Sequence, residues 1–510
     1  MRLQPEPAAA MLSAVAVVPD VRRPGNARAW VPAIALQAIL AGVLLWFPLV
    51  RAARPAAFAY NEGWNTYWQQ AAAAGQLLYG SPPGWTIQNY PPLSFHLIGA
   101  LGAAFGNTNM AGRGVSLVSL ALVCLLTGGI AQRFSGSRWA GWYAGLCPLV
   151  WIGVFSANRI AMNDPQFLGM VFELAGFYIY VRRPAATWAL TGSAALFALA
   201  IFTKHNLIAA PAAVAGQMLL SRDWRGLALW GGTGAALAVA GLAATMAFDG
   251  RFFLAHLLSP RAADYVTGLN FNLLYGRLFA PAIVVGVLWS VRHLVPGPER
   301  ALSLAWIAAA LLGAVLLFGH GVDKNILFEA LVFDAIVVAA AMRTQLDSSD
   351  RPAIPAVILV AIASWPVIMV PALAFQGPRD LAALPRIEAD FAAGADLVRS
   401  RPGPAWCENL LLCNAAGKPM VFDAYYTQDQ VESGRLPECA VLRQLVAQVP
   451  SSVEVGKSSG NDPLLPSARL RFTAGFMRTL LTYYTTALET EEFFVLVPTD
   501  GPWLGAGRCR

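Results

Sequence analysis

Eleven apolar runs occupy most of the chain between residues 31 and 375, and they restrict what it can fold into more than any other feature. They lie at 31–49, 114–131, 139–155, 167–181, 188–202, 207–220, 227–248, 273–289, 301–318, 326–341 and 354–375. A helix that crosses a bilayer takes about 20 apolar residues. In lipid the backbone must satisfy its own hydrogen bonds, so runs of this length read as helices. The expected fold class is an all-α polytopic membrane bundle of about eleven transmembrane helices. Some runs are short enough that one or two would be re-entrant or merged. Composition agrees: 57% of residues are hydrophobic and 13% charged, with a mean hydropathy of +0.52, where a soluble domain carries about 25% charged residues.

The net charge of +7 follows the spans and is no sign of nucleic-acid binding. Arg22, Arg23 and Arg28 precede the first run, Arg133 and Arg138 follow the second, and Arg182 and Arg183 the fourth. Arg222 and Arg225, Arg292 and Arg300, and Arg343 and Arg351 continue the pattern at every second connection. Positive connections stay inside, so the N-terminus (1–29) is cytoplasmic and an odd number of spans leaves the tail (376–510) outside. In a bacterium that is the inner membrane with a periplasmic tail. The N-terminal stretch is polar and basic, without the apolar core of a cleaved signal. Arg51 and Arg54 break the rule beside the end of the first span, within reach of lipid headgroups. The four lysines, Lys204, Lys324, Lys418 and Lys457, all fall on the outer side; Lys204 and Lys324 sit at span ends, either snorkelling or aimed at an anionic headgroup.

The longest connection within the membrane domain (30–375) is the first outer loop, 51–113. Trp64, Tyr67, Trp68, Ala71, Ala72, Leu77 and Leu78 recur at helical spacing, and 93–105 is apolar but short and glycine-interrupted. Two surface helices joined by a turn at Ser81-Pro82-Pro83-Gly84 fit this loop. Polar residues gather at four further outer connections, Asn158 to Asp164, Lys204-His205-Asn206, Asp249 to Asn272, and His320 to Asn325 with Glu329 beyond. Ionisable residues at membrane depth are costly and usually functional or paired, so these connections point to one shared outer site. His205, His256 and His320 have the chemistry to titrate near neutral pH, although a lone interfacial histidine is more often structural.

The tail has the composition of a small mixed α/β domain, with helices expected over 386–398 and 438–449 and strands over 420–425 and 493–497. Cys407, Cys413, Cys439 and Cys509 lie there and admit three full disulfide pairings; Cys124 and Cys147 fall within spans as packing residues. No zinc-site spacing, phosphate loop after a strand, nucleophile elbow or HExxH motif occurs.

What remains is a carboxylate in the first outer loop, a second near an outer span end, and scattered outer cations. The residues Asn61-Glu62-Gly63, Asn89-Tyr90-Pro91-Pro92-Leu93, Ala111-Gly112-Arg113, Asn158-Arg159 with Asn163-Asp164, Lys204, and Asn325-Ile326-Leu327-Phe328-Glu329 occur in an order and placement that resembles the C-type, polyprenyl-phosphate-dependent glycosyltransferases. The bacterial branch related to protein O-mannosyltransferases and the lipid A aminoarabinose transferase is the most similar. The resemblance spans residues 31–341; the tail matches loosely. It implies a helical bundle with an outer catalytic cavity, a sugar donor on a polyprenyl phosphate, and a lipid, glycan or protein acceptor among membrane lipids. The loop acid of such enzymes would here be Glu62, acting as general base, since Asn61 stands where the family often has a first acid. Asp164 would orient the acceptor or, with Glu62, hold a divalent cation. Arg159, Lys204 and Lys324 would clamp the donor phosphate. Asn61, Asn89, Tyr90, Arg113, Asn163, His205, Asn325 and Glu329 complete the substrate-binding set, Tyr90 chiefly as a loop-shaping residue.

Each assignment has a structural counterpart. Glu62 is placed as a first-turn acid behind Asn61, and Asp164 as an N-terminal acid completed by Pro165. The cations suit headgroup contacts or salt bridges. A transporter or lipid flippase is the alternative, though it would favour broken helices and repeats at the midplane. A non-catalytic scaffold displaying its tail is the third reading.

Overall fold

A computed structural model describes residues 27–81, 84–348, 353–457 and 474–499. Arg22, Arg23, Arg351, Cys509 and the Pro82-Pro83 pair of the expected turn lie outside them. The apolar runs fall mainly on α1 (Ala27–Ala52), α4 (Thr108–Ser135), α5 (Arg138–Ser156), α6 (Gln166–Arg182), α7 (Thr187–Thr203), α8 (Ala209–Leu220), α9 (Trp224–Phe248), α11 (Tyr265–His293), α12 (Arg300–Leu316), α13 (Phe328–Ser348) and α14 (Ala353–Met369), the last run being broken at 370–372 and ending in the next helix. Six segments, on α1, α4, α5, α9, α11 and α13, are long and apolar enough to cross a membrane, while α7, α8, α12 and α14 are shorter apolar helices. The chain is a membrane protein.

Local signals set the helix ends. Asn107, Ser137, Asp223 and Asp264 accept backbone N–H groups at the starts of α4, α5, α9 and α11, as N-cap residues do. Pro281 lies inside α11, and the backbone departs from helical geometry two residues earlier at Phe279, the kink a helical proline imposes. Packing then sorts the helices by burial. α13 runs through the middle against α4, α5, α11 and α12, with every residue from Asn325 to Ala340 buried. α9 lies at the edge against α7, its apolar face open as for a helix turned toward lipid.

The outer end carries the rest. The first outer loop folds into α2 (Tyr60–Ala73) and α3 (Leu93–Phe105), which pack on each other, and α3 packs on α4. A short helix, α10 (Phe253–Leu257), lies in the connection after α9. The tail begins with α15 (Leu373–Ser400) and continues through β1 (Ala405–Cys407), α16 (Leu410–Ala415), α17 (Ala424–Glu432), α18 (Glu438–Gln448), β2 (Ser452–Gly456), α19 (Ala474–Tyr483), β3 (Tyr484–Glu489) and β4 (Phe493–Pro498). The sheet order is β1-β2-β4-β3, with β1 parallel to β2 and the other pairs antiparallel. Cys407 bonds to Cys413, Cys439 is disulfide-bonded too, and Cys124 and Cys147 are free.

Residues 420–425, expected as a strand, instead lead into α17. The Asp423 side chain caps that helix by accepting from Tyr426 N at 2.9 Å, and its amide donates to Trp85 O at 2.8 Å. Local capping and a partner in the first outer loop outweigh the strand-like pattern. Arg51 and Arg54 do not reach out as headgroup contacts: Arg51 donates to Ala57 O at 2.8 Å and Arg54 pairs with Glu388 at 3.5 Å.

The tail docks on the first outer loop. A Cβ at Gly63 would lie 2.1 Å from Leu411 N, so only glycine lets α16 sit across α2. Trp85 stacks on Phe422, and Tyr67 donates to Lys418 O at 2.6 Å.

Candidate active site

A small open cleft lies where the tail meets the outer connections. Tyr60, Asn61 and Trp64 come from α2, and Asn89 and Tyr90 from the loop before α3. Arg261 comes from the connection after α9, His320 and Gly321 from that after α12, and Asp423, Tyr425, Tyr426 and Asp429 from the tail. Asn61, Asn89 and Tyr90, three of the residues expected to bind substrate, thus line this cleft. The acids come from the tail, and the aromatic wall is shared between the first outer loop (Tyr60, Trp64, Tyr90) and the tail (Tyr425, Tyr426).

Glu62 is one residue along α2 and faces away from the cleft. Its side chain is fully buried. Arg113 donates to it twice, Nε to Oε1 at 2.8 Å and Nη2 to Oε2 at 2.7 Å, while Phe58 N (2.7 Å) and Asn163 N (3.1 Å) fill the remaining directions. Arg113 also donates to the carbonyls of Ala52, Arg54 and Ala56 and lies over the Phe58 ring. The pair ties the end of α1 to α2 and α4 and leaves Glu62 no lone pair for an acceptor proton. Asn163 is equally enclosed: its side chain meets Gln69, Thr66 and Asn109, and it presses on Gly112, where a Cβ would come within 2.0 Å. Glu329 faces inward and pairs with the Glu173 carboxyl. Asn325 is buried at the start of the same segment. Arg113, Asn163, Glu329 and Asn325 do not line the cleft.

Behind Tyr90 lies a buried ion cluster. Lys204 Nζ is 3.2 Å from Asp164 Oδ1 and 5.1 Å from the Tyr90 ring centre. Arg159 bridges Asp164, at 3.3 Å, and Asp323. Lys324 lies about 6 Å from the ring centres of Phe155 and Phe271. Burial alone would raise Asp164, but Lys204 and Arg159, helped by the Gln166 amide, hold it below the usual carboxylate range. Asp323, also pushed up by burial, is brought down to about 2 by Arg159 and Lys324. Three cations against two carboxylates leave one positive charge over. His205 sits beside Tyr90, its pKa lowered to about 4 by burial and by Arg261 and Lys204, so it is neutral at pH 7. Glu62 and Asp164 do not fit a divalent cation: each is already neutralised by a guanidinium or ammonium, and no cluster of three metal-ligating side chains occurs among the described residues.

The tail's hold on the cleft centres on His320. Its ring stacks on Tyr425 with centroids 5.2 Å apart, and Nδ1 lies 3.0 Å from Asp429. Gly321 has φ of +77°, and a Cβ there would lie 2.1 Å from the Tyr425 hydroxyl. Gly321→Ala is therefore expected to cost about 1–2 kcal/mol in left-handed strain alone and to displace Tyr425, seen as a lower melting temperature and easier proteolysis of the tail. Burial pushes Asp429 up, but His320, the Ala262 amide and Arg435 outweigh it and hold it low. A depressed carboxylate stabilises above its unfolded value, about 3.9, and loses that contribution as pH falls through the folded one. The hydrogen-exchange protection factors over 424–432, corrected for intrinsic rates, are expected to stay level from pH 8 to 5 on this account and to fall below about pH 4.

Tyr60, Asp423 and Tyr425 escape a reading by sequence because the tail is remote from the motifs it completes. The one signal was an acid followed by paired tyrosines, Asp423-Ala424-Tyr425-Tyr426.

The fold, a helical membrane bundle with a first-loop helix pair and a docked α/β tail, is similar to that of solved membrane proteins. The chain is similar in structure to ArnT from Cupriavidus metallidurans bound to undecaprenyl phosphate, with a TM-score of 0.59 at 14% identity over 92% of this chain and 99% of that one. Its likeness to the apo state of the same protein has a TM-score of 0.58 at 14% identity, over 93% of this chain and 99% of that one. The archaeal oligosaccharyltransferase AglB from Archaeoglobus fulgidus, in complex with an inhibitory peptide and a dolichol-phosphate, aligns with a TM-score of 0.54 at 10% identity, over 83% of this chain and 69% of that one. No protein-family profile and no curated protein matches the chain by sequence.

Proposed function

We propose that the protein is an integral membrane glycosyltransferase that moves a sugar from a polyprenyl-phosphate donor to an acceptor hydroxyl in the outer cleft. The observation that carries this reading is the surplus positive charge beside an aromatic-walled cleft. A phosphate monoanion matches one unpaired positive charge, and aromatic walls suit sugar rings. The fold likeness adds support, since the related structures carry undecaprenyl phosphate and dolichol-phosphate.

In this reading Lys324 and Lys204 take the donor phosphate and stabilise the charge it gains on leaving. Arg159 and Asp164 fix the position of Lys204. Asn61, Asn89 and Tyr90 shape the sugar subsite. Glu62 and Arg113 hold α2 in place and take no part in the chemistry. About eleven apolar helices span the membrane, one or two of them re-entrant or merged, the N-terminus is cytoplasmic, and residues 376–510 form a tail on the outer, periplasmic face of the inner membrane. The sugar is a hexose or pentose and the acceptor a lipid, glycan or protein.

The test is transfer of label, in purified membranes, from undecaprenyl phosphate carrying radiolabelled mannose or arabinose. Label is expected to leave the carrier for an acceptor, with unlabelled undecaprenyl phosphate competing. Movement of intact donor across the vesicle bilayer, with the sugar still attached, would favour the flippase alternative and sink this reading.

A further inference from the structure

The proposed glycosyl transfer needs a group to take the acceptor's proton, and the expected one, Glu62, is sealed against Arg113 away from the cleft. Its neighbour Asn61 lines the cleft but carries no charge. Among the described residues lining the cleft, the carboxylates are Asp423 and Asp429, both from the tail. Asp429 is committed to His320 at 3.0 Å, Arg435 at 2.9 Å and the Ala262 amide at 3.0 Å. His320 is no better placed, because its second ring nitrogen faces Glu432 at 3.6 Å. Asp423 differs. Its carboxylate accepts the phenolic hydrogen of Tyr60, and Tyr60 is the cleft residue immediately before Asn61.

We propose that Tyr60 and Asp423 form the general-base dyad of the transfer, Tyr60 as the catalytic residue that touches the acceptor hydroxyl and Asp423 as the residue that positions it and takes its proton. The inference rests on the glycosyltransferase reading. The acceptor O–H gives its proton to the Tyr60 oxygen as the Tyr60 proton passes to Asp423. The acceptor oxygen bonds to the sugar's anomeric carbon. The bond from that carbon to the phosphate oxygen breaks, and its electron pair leaves on the polyprenyl phosphate. The acid that position 61 lacks is thus supplied across the cleft by the tail, 363 residues from Tyr60.

The experiment measures kcat, donor KM and melting temperature for wild type, Asp423→Asn and Tyr60→Phe, using radiolabelled undecaprenyl-phosphate mannose and arabinose with octyl glycosides as acceptors. Asn still caps α17 and still accepts the phenol, so Asp423→Asn removes basicity alone; Tyr60→Phe keeps the ring. Each is expected to lose roughly 10²–10⁴-fold in kcat, the worth of general-base catalysis, with donor KM within about twofold and melting temperature unchanged. Variants with wild-type kcat overturn the dyad and leave glycosyl transfer standing. Loss of melting temperature in step with kcat in both variants also overturns it, reducing the pair to a docking contact. A wild type that transfers nothing from either donor overturns the dyad together with the reading beneath it.

Discussion

Glu62→Gln is expected to unfold the outer half of the protein before it slows any reaction. The substitution removes one charge from a buried pair whose members are at most 1% exposed and leaves the Arg113 guanidinium without a counter-ion. Breaking such a pair from one side costs about 3–5 kcal/mol, a large share of the 5–15 kcal/mol that holds a typical domain together. Membrane accumulation and melting temperature should fall together, and the residual folded fraction should turn over at close to the wild-type rate. Arg113→Gln should look much the same, and the double variant Glu62→Gln/Arg113→Gln should recover part of the loss, since no charge is then stranded. A well-folded Glu62→Gln protein that is catalytically dead would instead return the carboxylate to the chemistry.

Lys324→Met is expected to do the reverse, abolishing most activity in a protein that folds normally. Lys324 makes no ion pair among the described residues; its ammonium lies between the rings of Phe155 and Phe271. Methionine can occupy that position and pack on both rings, so melting temperature should hold. What is lost is a cation that makes no ion pair among the described residues, although its charge helps hold Asp323 low. A charge-assisted hydrogen bond contributes about 1.5–3 kcal/mol, so kcat/KM for the polyprenyl-phosphate donor should drop by roughly 10–150-fold. Binding of undecaprenyl phosphate alone should weaken in parallel. Unchanged kcat/KM would remove Lys324 from the donor site.

The two variants separate what the sequence displays from what it conceals. Apolar length is a one-dimensional signal, so the predicted apolar runs appear as helices, except that the last is broken at 370–372. The polar residues at outer span ends do converge: Arg159, Asp164, Lys204 and Asp323 touch one another although they come from three connections. Which way a side chain points was not legible. Along a helix, adjacent residues diverge by about 100°, so Asn61 can line the cleft while Glu62 turns into the protein. A charge that marks a motif in sequence is as well suited to a buried clamp as to catalysis, and only the position of Arg113 decides between them. The tail was legible in composition but not in role. Residues 420–425 have a strand's pattern, and what makes them a helix start and a cleft wall is contact with Trp85 and Tyr60, far away in the chain.

The seating of α16 across Gly63 also bears on the order of events during synthesis. The bundle and the first outer loop leave the ribosome long before Leu410 and Asp423 exist, and contacts so distant in sequence form late. On the proposed topology and function, until the tail has crossed the membrane and settled on α2 the nascent protein would hold a lipid phosphate but have no complete wall against which to react it. Catalytic competence is therefore withheld until translocation is finished, and a chain stopped short of residue 423 should be inserted, folded in its bundle and chemically silent.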